Sequence, residues 1–386
     1  MLSQHTQRQI EALSDLCSNT FSAPLDVDAL VAAVGEQAKH LLNQKVNSLD
    51  GQEPAALYGW IEHQALQTEI NLWLEETGFD GLGTNGIPRD AQNAFLTGLI
   101  SIGLPESALT CIGKGQQKGE DTSLELLRGK ALSALGQPEA AISSYLSVAG
   151  IHPDDHRAYF HLAGEYLRLG RHVDALDAFD SVIERQPGLP GPWHNKGVCL
   201  YQLEDFEQAS NCFEKASALA PGFAGSWIAL GKCFLALGDT YRAIDALLDG
   251  LQLGEPHPEL HKTLGLALKQ EGKSAEAAEH LNLALEQMPE EVGLYLARAE
   301  CLADNGGYAE ALKDLARLKA IEPYNVQSAA LEFTCLFALK RYAEAERCYY
   351  FLQGMHPKAT QAFEAEIQVI RKRNQIAIAT EEPTCA

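Results

Sequence analysis

From Thr122 onward, apolar and small residues gather on one face of helix-length stretches, and the stretches come in pairs. In residues 190–223, Trp193, Gly197 and Leu200 share the face of a first helix, and Ala209, Phe213 and Ala216 share that of a second. Gly197 has no side chain, so the second helix can approach closely there. Pro221 ends the pair, because proline lacks an N–H and disfavours helical backbone in the residue before it. The layout returns with Trp227, Leu230, Gly231, Phe234, Ala243 and Leu247, and with Tyr159, Leu162, Tyr166, Ala175 and Phe179. A fixed period underlies it. Ala141, Ala175, Ala209, Ala243, Ala277, Ala311 and Ala345 are each 34 residues apart. Pro153, Pro187, Pro221, Pro289, Pro323 and Pro357 keep the same clock, with one member displaced to Pro256. The pattern predicts seven helical hairpins over residues 122–359.

The flanks do not keep this period. Residues 1–87 predict an N-terminal helical region of three helices. The first covers residues 4–17. The second follows Asp28 and carries Leu30, Val31, Val34, Ala38 and Leu41. The third covers residues 54–76 and carries Leu57, Trp60, Ile61, Leu66, Ile70, Leu72 and Leu74. Such faces need burial, either in a small bundle on the first repeat or by self-association. The glycine-rich run at residues 77–88 is a connector, with neither a phosphate-loop nor a dinucleotide spacing. Residues 88–121 fit a degenerate helix pair, with Leu96 and Ala108 inside. Residues 360–372 predict a capping helix, and residues 373–386 a flexible tail.

Recurring in register, the W-x2-LG pattern with a later Ala, aromatic, Ala and Pro resembles the tetratricopeptide repeat family. The resemblance implies an all-α fold, a right-handed TPR α-solenoid with the N-terminal helices added. Local departures are Ala299 and Phe333 at the usual glycine place, and Gly250 at a usual alanine place. In that family the first helix of each pair lines the inner surface and holds a protein or peptide. Carried over place by place, the resemblance puts Lys130, Arg157, Phe160, His161, Arg168, His194, Asn195 and Tyr201 on that surface in the first units. Lys232, Lys262 and Lys269 follow in the middle units.

Charge sharpens this picture. The formal net charge is -22, which repels nucleic acid and anionic lipid at long range, and no nucleic-acid motif is present. Against that background the inner places of units one to five are aromatic and basic, with Glu259 the clear acid, while a later unit adds Glu300 and Asp304. A basic groove points to a guest segment carrying carboxylates or phosphates. The chain opens without a signal-peptide pattern and has no stretch of about 18 apolar residues. With nine cysteines, an odd number in a chain large enough to need no disulfide staples, it is expected in the cytoplasm and not inserted in a membrane.

Catalytic candidates are few. Cys199, Cys233, Cys301 and Cys335 share one place per unit, but stacked helices stand roughly 8–10 Å apart, too far for a disulfide. Packing is the expected role of these thiols. In the run His152, Asp154, Asp155, His156, an aspartate is expected to cap the next helix. His257 and His261 are four apart with no third ligand evident, so packing is the expected role of His261 too. No catalytic residue, metal site or cofactor is expected. Three readings remain: an adaptor or scaffold for protein partners, a non-catalytic or regulatory subunit of an enzyme, or an enzyme with an unfamiliar site. Self-association through the N-terminal helices stays open beside them.

Overall fold

The computed structural model describes residues 2–20, 25–45, 54–76, 89–116, 121–253 and 257–381. The connector at 77–88, Cys385 and residues 382–386 lie outside the described residues, as do the side chains of Leu57 and Trp60. Among the described residues the regular structure is entirely helical. Two compact units, Met1–Gly188 and Leu189–Ala386, are each built around their own cores.

The first unit begins with α1 (Gln4–Thr20), α2 (Val27–Lys45) and α3 (Pro54–Glu76), followed by α4 (Arg89–Ser101) and α5 (Pro105–Gln116). The hairpins α6 (Thr122–Ala134)/α7 (Pro138–Ile151) and α8 (His156–Arg168)/α9 (His172–Arg185) complete it. Asp26, not Asp28, caps α2: its carboxylate accepts the Ala29 N–H at 3.0 Å. A single core joins Ile10, Leu13 and Cys17 of α1, Val34 of α2 and Ala65, Leu66, Ile70 and Leu74 of α3 to Phe95, Leu99 and Ala108. Leu124 and Leu127 of the first hairpin belong to the same core. The apolar faces of the N-terminal helices are therefore consumed within this unit, which removes their surface from water as the hydrophobic effect demands.

The second unit holds the hairpins α10 (Pro190–Gln202)/α11 (Phe206–Leu219), α12 (Ala224–Ala236)/α13 (Thr240–Leu253) and α14 (Pro258–Gln270)/α15 (Ser274–Gln287). It continues with α16 (Val292–Asp304)/α17 (Tyr308–Ile321) and α18 (Val326–Ala338)/α19 (Tyr342–Met355). A 3-10 turn, Pro357–Phe363, then leads into α20 (Glu364–Glu381). The last helix continues past residue 372, into the stretch read as a tail, because no glycine or proline interrupts the chain before Pro383. Ile367 and Ile370 of α20 pack with Phe333, Leu336 and Tyr349, closing the end of the last hairpin.

In four of the seven hairpins the seam depends on one absent side chain. A Cβ on Gly197 would stand 2.8 Å from the Phe213 ring, one on Gly231 2.7 Å from Leu247, and one on Gly129 would run into the Tyr145 ring. Those distances are closer than carbon atoms pack. Where Phe333 stands at this place, its ring turns toward Phe363, 4.6 Å away between centroids. The turn between the two helices also repeats. Gly136, Gly170, Gly238, Gly272 and Gly306 have φ between 70° and 80°, and Glu204 and Lys340 take the same place at φ 62° and 60°. The next residue's N–H returns to a carbonyl of the first helix, as Gln137 does to Leu132 at 3.0 Å, the usual left-handed helix stop.

Candidate functional site

Within each unit the first helices of successive hairpins lie side by side, and their polar residues meet along one face. In the second unit Lys232 of α12 gives its Nζ to Glu259 of α14 at 2.9 Å. Lys262 of α14 stands 3.4 Å from Glu259 and 3.4 Å from Glu291, the residue before α16. Lys269 of α14 pairs with Glu300 of α16. The three lysines read from the sequence are thus brought onto one face, each already facing a carboxylate. Burial acts to raise Glu259, but the Lys232 hydrogen bond and the charges of Lys232 and Lys262 outweigh it and hold the carboxyl below its usual range.

The first unit repeats the arrangement. Arg168 of α8 reaches the Ser133 carbonyl of α6 at 3.2 Å and the Glu165 carboxylate at 3.1 Å. Glu165 is buried and also receives the Ser133 hydroxyl. Arg157 forms a two-pronged pair with Asp155 at 2.9 and 2.8 Å. Asp155 also caps α8 through the Arg157 N–H, as the sequence led one to expect of an aspartate there. Burial, with Arg157 nearby, lowers the Lys130 ammonium below its ordinary value. The acidic partners absent from the sequence inventory, Glu165 and Glu291, come from the same turn or from the neighbouring hairpin, and Glu300, which the repeat places on the inner surface of a later unit, is the partner of Lys269. In each unit most of these cations face a carboxylate, so neither face is a strip of open cations.

The aromatic candidates are half-buried. His161 lies against Tyr145, centroids 5.4 Å apart, and Phe160 makes an edge contact with Phe179 at 6.3 Å. Burial first, then Lys130 and Arg157, push the His161 imidazole down to about 4, so it is neutral at physiological pH. His194 meets the Ser226 hydroxyl at 3.1 Å and the Phe213 and Phe223 rings at 5.3 and 5.1 Å. Burial lowers its pKa as well. Tyr201 meets Phe206 edge-on at 5.1 Å, and Asn195 is half-buried beside His194. These rings offer apolar contact with little entropy left to lose.

The thiols sit in the packing. Cys199, Cys233, Cys301 and Cys335 are buried, and burial pushes Cys199 and Cys335 up to about 11 and Cys233 to about 12. Such thiols carry almost no thiolate at neutral pH. Among the described residues no three His, Cys, Asp or Glu side chains converge in a way that could hold a metal ion.

A second feature escaped the sequence. Between the second helices α15 and α17, above α16, lies a 660 Å³ cavity lined by Asn282, Leu283, Arg298, Leu302, Asp314 and Arg317, among others. Arg298 grips Asp314 with two bonds of 2.8 and 2.6 Å and gives a third to Asn282 at 2.6 Å. Arg317 reaches the Tyr295 hydroxyl at 3.1 Å. The signal lay in the register: Arg298 stands where Leu230 and Leu264 stand, and Asp314 where Ala246 stands. Two hairpins earlier, the equivalent groove is a 370 Å³ cavity around Trp227, Leu230, Phe234 and Arg242.

Residues 91–332 match the family described as the cilia and flagella-associated protein 70 C-terminal domain. The Hsp70-Hsp90 organizing protein 3 of Arabidopsis thaliana is 22% identical over 221 residues, 54% of this chain and 38% of that one. The tetratricopeptide repeat and J domain-containing co-chaperone DNJ1 of Cryptococcus neoformans var. grubii is 24% identical over 224 residues, 57% of this chain and 38% of that one. The chain thus spans well under half the length of these curated relatives. Among solved structures, YrrB, described as a TPR protein with an unusual peptide-binding site, superposes with a TM-score of 0.44 at 20% identity, covering 48% of this chain and 96% of that one. PilF of Pseudomonas aeruginosa gives 0.47 at 17%, covering 54% and 94%. No described helix is long and apolar enough to cross a membrane.

Proposed function

Since this chain belongs to the family of the cilia and flagella-associated protein 70 C-terminal domain, a tetratricopeptide repeat family, we propose that it is a scaffold that holds a segment of another protein on the face formed by its first helices. The supporting observation is the row Lys232, Glu259, Lys262, Glu291, which runs across three successive hairpins with its lysines within solvent reach. Such a row can be opened one pair at a time. A carboxylate of a guest replaces Glu259 or Glu291 at a lysine, and the freed glutamate returns to water. The exchange costs little because exposed pairs contribute only about 0–1 kcal/mol each. Its net gain is small for the same reason, so apolar contact must supply most of the affinity, and the charges set register and orientation. In the second unit the half-buried His194, Asn195 and Tyr201 offer that contact. Arg157, Phe160, His161, Arg168 and Lys130 offer the same mixture in the first unit.

The guest fitted to this chemistry is a peptide or helix with acidic side chains spaced by apolar ones. The co-chaperone relatives are consistent with a protein partner, and a cytoplasmic setting fits the free thiols. The domain scheme that accompanies this reading makes residues 1–87 an end piece for the repeats and leaves the hairpins of 122–359 to hold the guest. Self-association through α1, α2 and α3 has less in its favour, because their apolar faces lie in the shared core.

Affinity isolation from native extract tests the proposal. The full chain is compared with a variant carrying Lys232→Glu, Lys262→Glu and Lys269→Glu, after circular dichroism has established equal helicity. The bound partner is expected to fall at least tenfold and to elute from the original chain with rising salt. Equal retention of the same partner by both proteins refutes the site.

A further inference from the structure

Between the two cavities described above lies a third member of the same series. At the place of Trp227 and Tyr295 stands His261, on α14, and at the place of Ala246 and Asp314 stands His280, on α15. The sequence places these two residues nineteen positions apart, and the hairpin brings them together. Their Nδ1 atoms are 3.1 Å apart, their ring centroids 5.3 Å apart, and their planes differ by 21°. The nitrogens are closer than the centroids by almost a full ring width. Each Nδ1 therefore points at the other along its lone-pair direction, with the rings edge to edge and nearly in one plane. Both side chains are half-buried, so water reaches them. The other histidine of the α14 segment does not compete: the Nδ1 of His257 accepts the Glu259 N–H at 3.2 Å and caps the helix.

We propose that His261 and His280 form a two-imidazole binding site for a late first-row divalent cation, Zn2+, Ni2+ or Cu2+, bridging the two helices of one hairpin. Two neutral imidazoles facing each other can share one proton: one Nδ1–H donates and the other Nδ1 accepts. For both nitrogens to ligate, the shared proton moves to Nε2 of its own ring, a change of tautomer with no net loss of protons. Two lone pairs then converge. An ion with Zn–N bonds of about 2.0–2.1 Å in tetrahedral geometry sets its two nitrogens about 3.3 Å apart. The rings need only pivot, and the helices can stay where they are. Imidazole is a preferred ligand for these metals. Burial lowers both histidines, and His261 lowers His280 further. Glu276 and Glu279 lie close enough to His280 to favour positive charge there. They add attraction for a cation, and the remaining coordination positions are left to water.

The register isolates the feature. The equivalent pairs are Trp227 with Ala246 and Tyr295 with Asp314, so only this hairpin of the three presents two imidazoles at these places. The bound ion would tie α14 to α15 on the side of the hairpin away from the charged row.

Calorimetric titration of the full, chelator-treated chain with Ni2+ and with Zn2+ tests the site. One equivalent is expected to bind, and His261→Gln or His280→Gln is expected to weaken binding at least tenfold. His257→Gln, whose imidazole caps the helix, should leave the affinity unchanged. Cu2+ electron paramagnetic resonance on the unaltered protein gives a second measure that needs no variant to fold. Its spectrum should show nitrogen splitting from two equivalent imidazoles. Absence of saturable binding, affinity unchanged from the unaltered chain in either histidine variant, or a copper spectrum without two imidazole nitrogens would overturn the proposal.

Discussion

The seam inside each hairpin and the charged row along the first helices are built from the same repeats but follow opposite rules. In the seam, Gly197 faces Phe213, Gly231 faces Leu247 and Gly265 faces Leu281, always with no room for a further carbon. Along the row, Lys232, Lys262 and Lys269 find different partners at different distances, in contact with water. Close packing tolerates one arrangement, whereas solvated charges tolerate many. The groove at Arg298 shows what happens when a polar pair is moved from the second setting toward the first. Arg298 and Asp314 are only 18% and 5% exposed, and three hydrogen bonds hold the guanidinium. The difference assigns stability to the seam and leaves the row free to serve recognition.

Five substitutions grade that contrast. Asp314→Ala should be the most damaging, because it strands the buried Arg298 charge, at a cost of about 3–5 kcal/mol. Adding Arg298→Leu installs the Leu and Ala of the Trp227 groove and should recover most of the loss. Urea unfolding reads both, and a cost below about 1 kcal/mol for the single change would place this pair with the surface ones. Gly197→Leu comes next, at about 1–3 kcal/mol, since the Phe213 ring must be displaced. An unchanged urea midpoint would mean that the seam is loose.

Glu204→Gly runs the other way. Glu204 holds φ at 62° where five hairpins have glycine, and left-handed backbone costs a side-chain-bearing residue roughly 1–2 kcal/mol. The midpoint should rise by a comparable amount, less the entropy that glycine adds to the unfolded chain. A fall would show that Glu204 is held by contacts worth more than its strain. Lys232→Met should be the mildest, within about 1 kcal/mol, because its pair with Glu259 is largely solvated. A larger loss would make the row a stability element and weaken its assignment to recognition.

The seam was legible from residue order alone because it repeats: glycine, aromatic and alanine return every 34 residues, and the helices follow them. The charged row was half legible. Lys232, Lys262 and Lys269 could be placed on one face, but their partners Glu291 and Glu300 belong to the next hairpin, and only a structure sets such neighbours side by side. The left-handed turns at Glu204 and Lys340 were hidden because neither residue type announces that backbone. His261 read as a packing residue from its place in the repeat, and its meeting with His280 depends on the rotation of α15. The last helix outran its expected end because a string without breakers carries no mark of where order stops. In the N-terminal helices the apolar faces were visible, but not what would cover them. The answer was a core shared with α4, α5 and the first hairpin.

The claim that the first-helix face is where a partner docks is tested most directly by hydrogen exchange on the full chain with and without its isolated partner. Slower exchange is expected in α12, α14 and α16, around Lys232, Lys262 and Glu300, with little change in α13, α15 and α17. Protection confined to the second helices, or absent from all six while the partner is bound, contradicts the account.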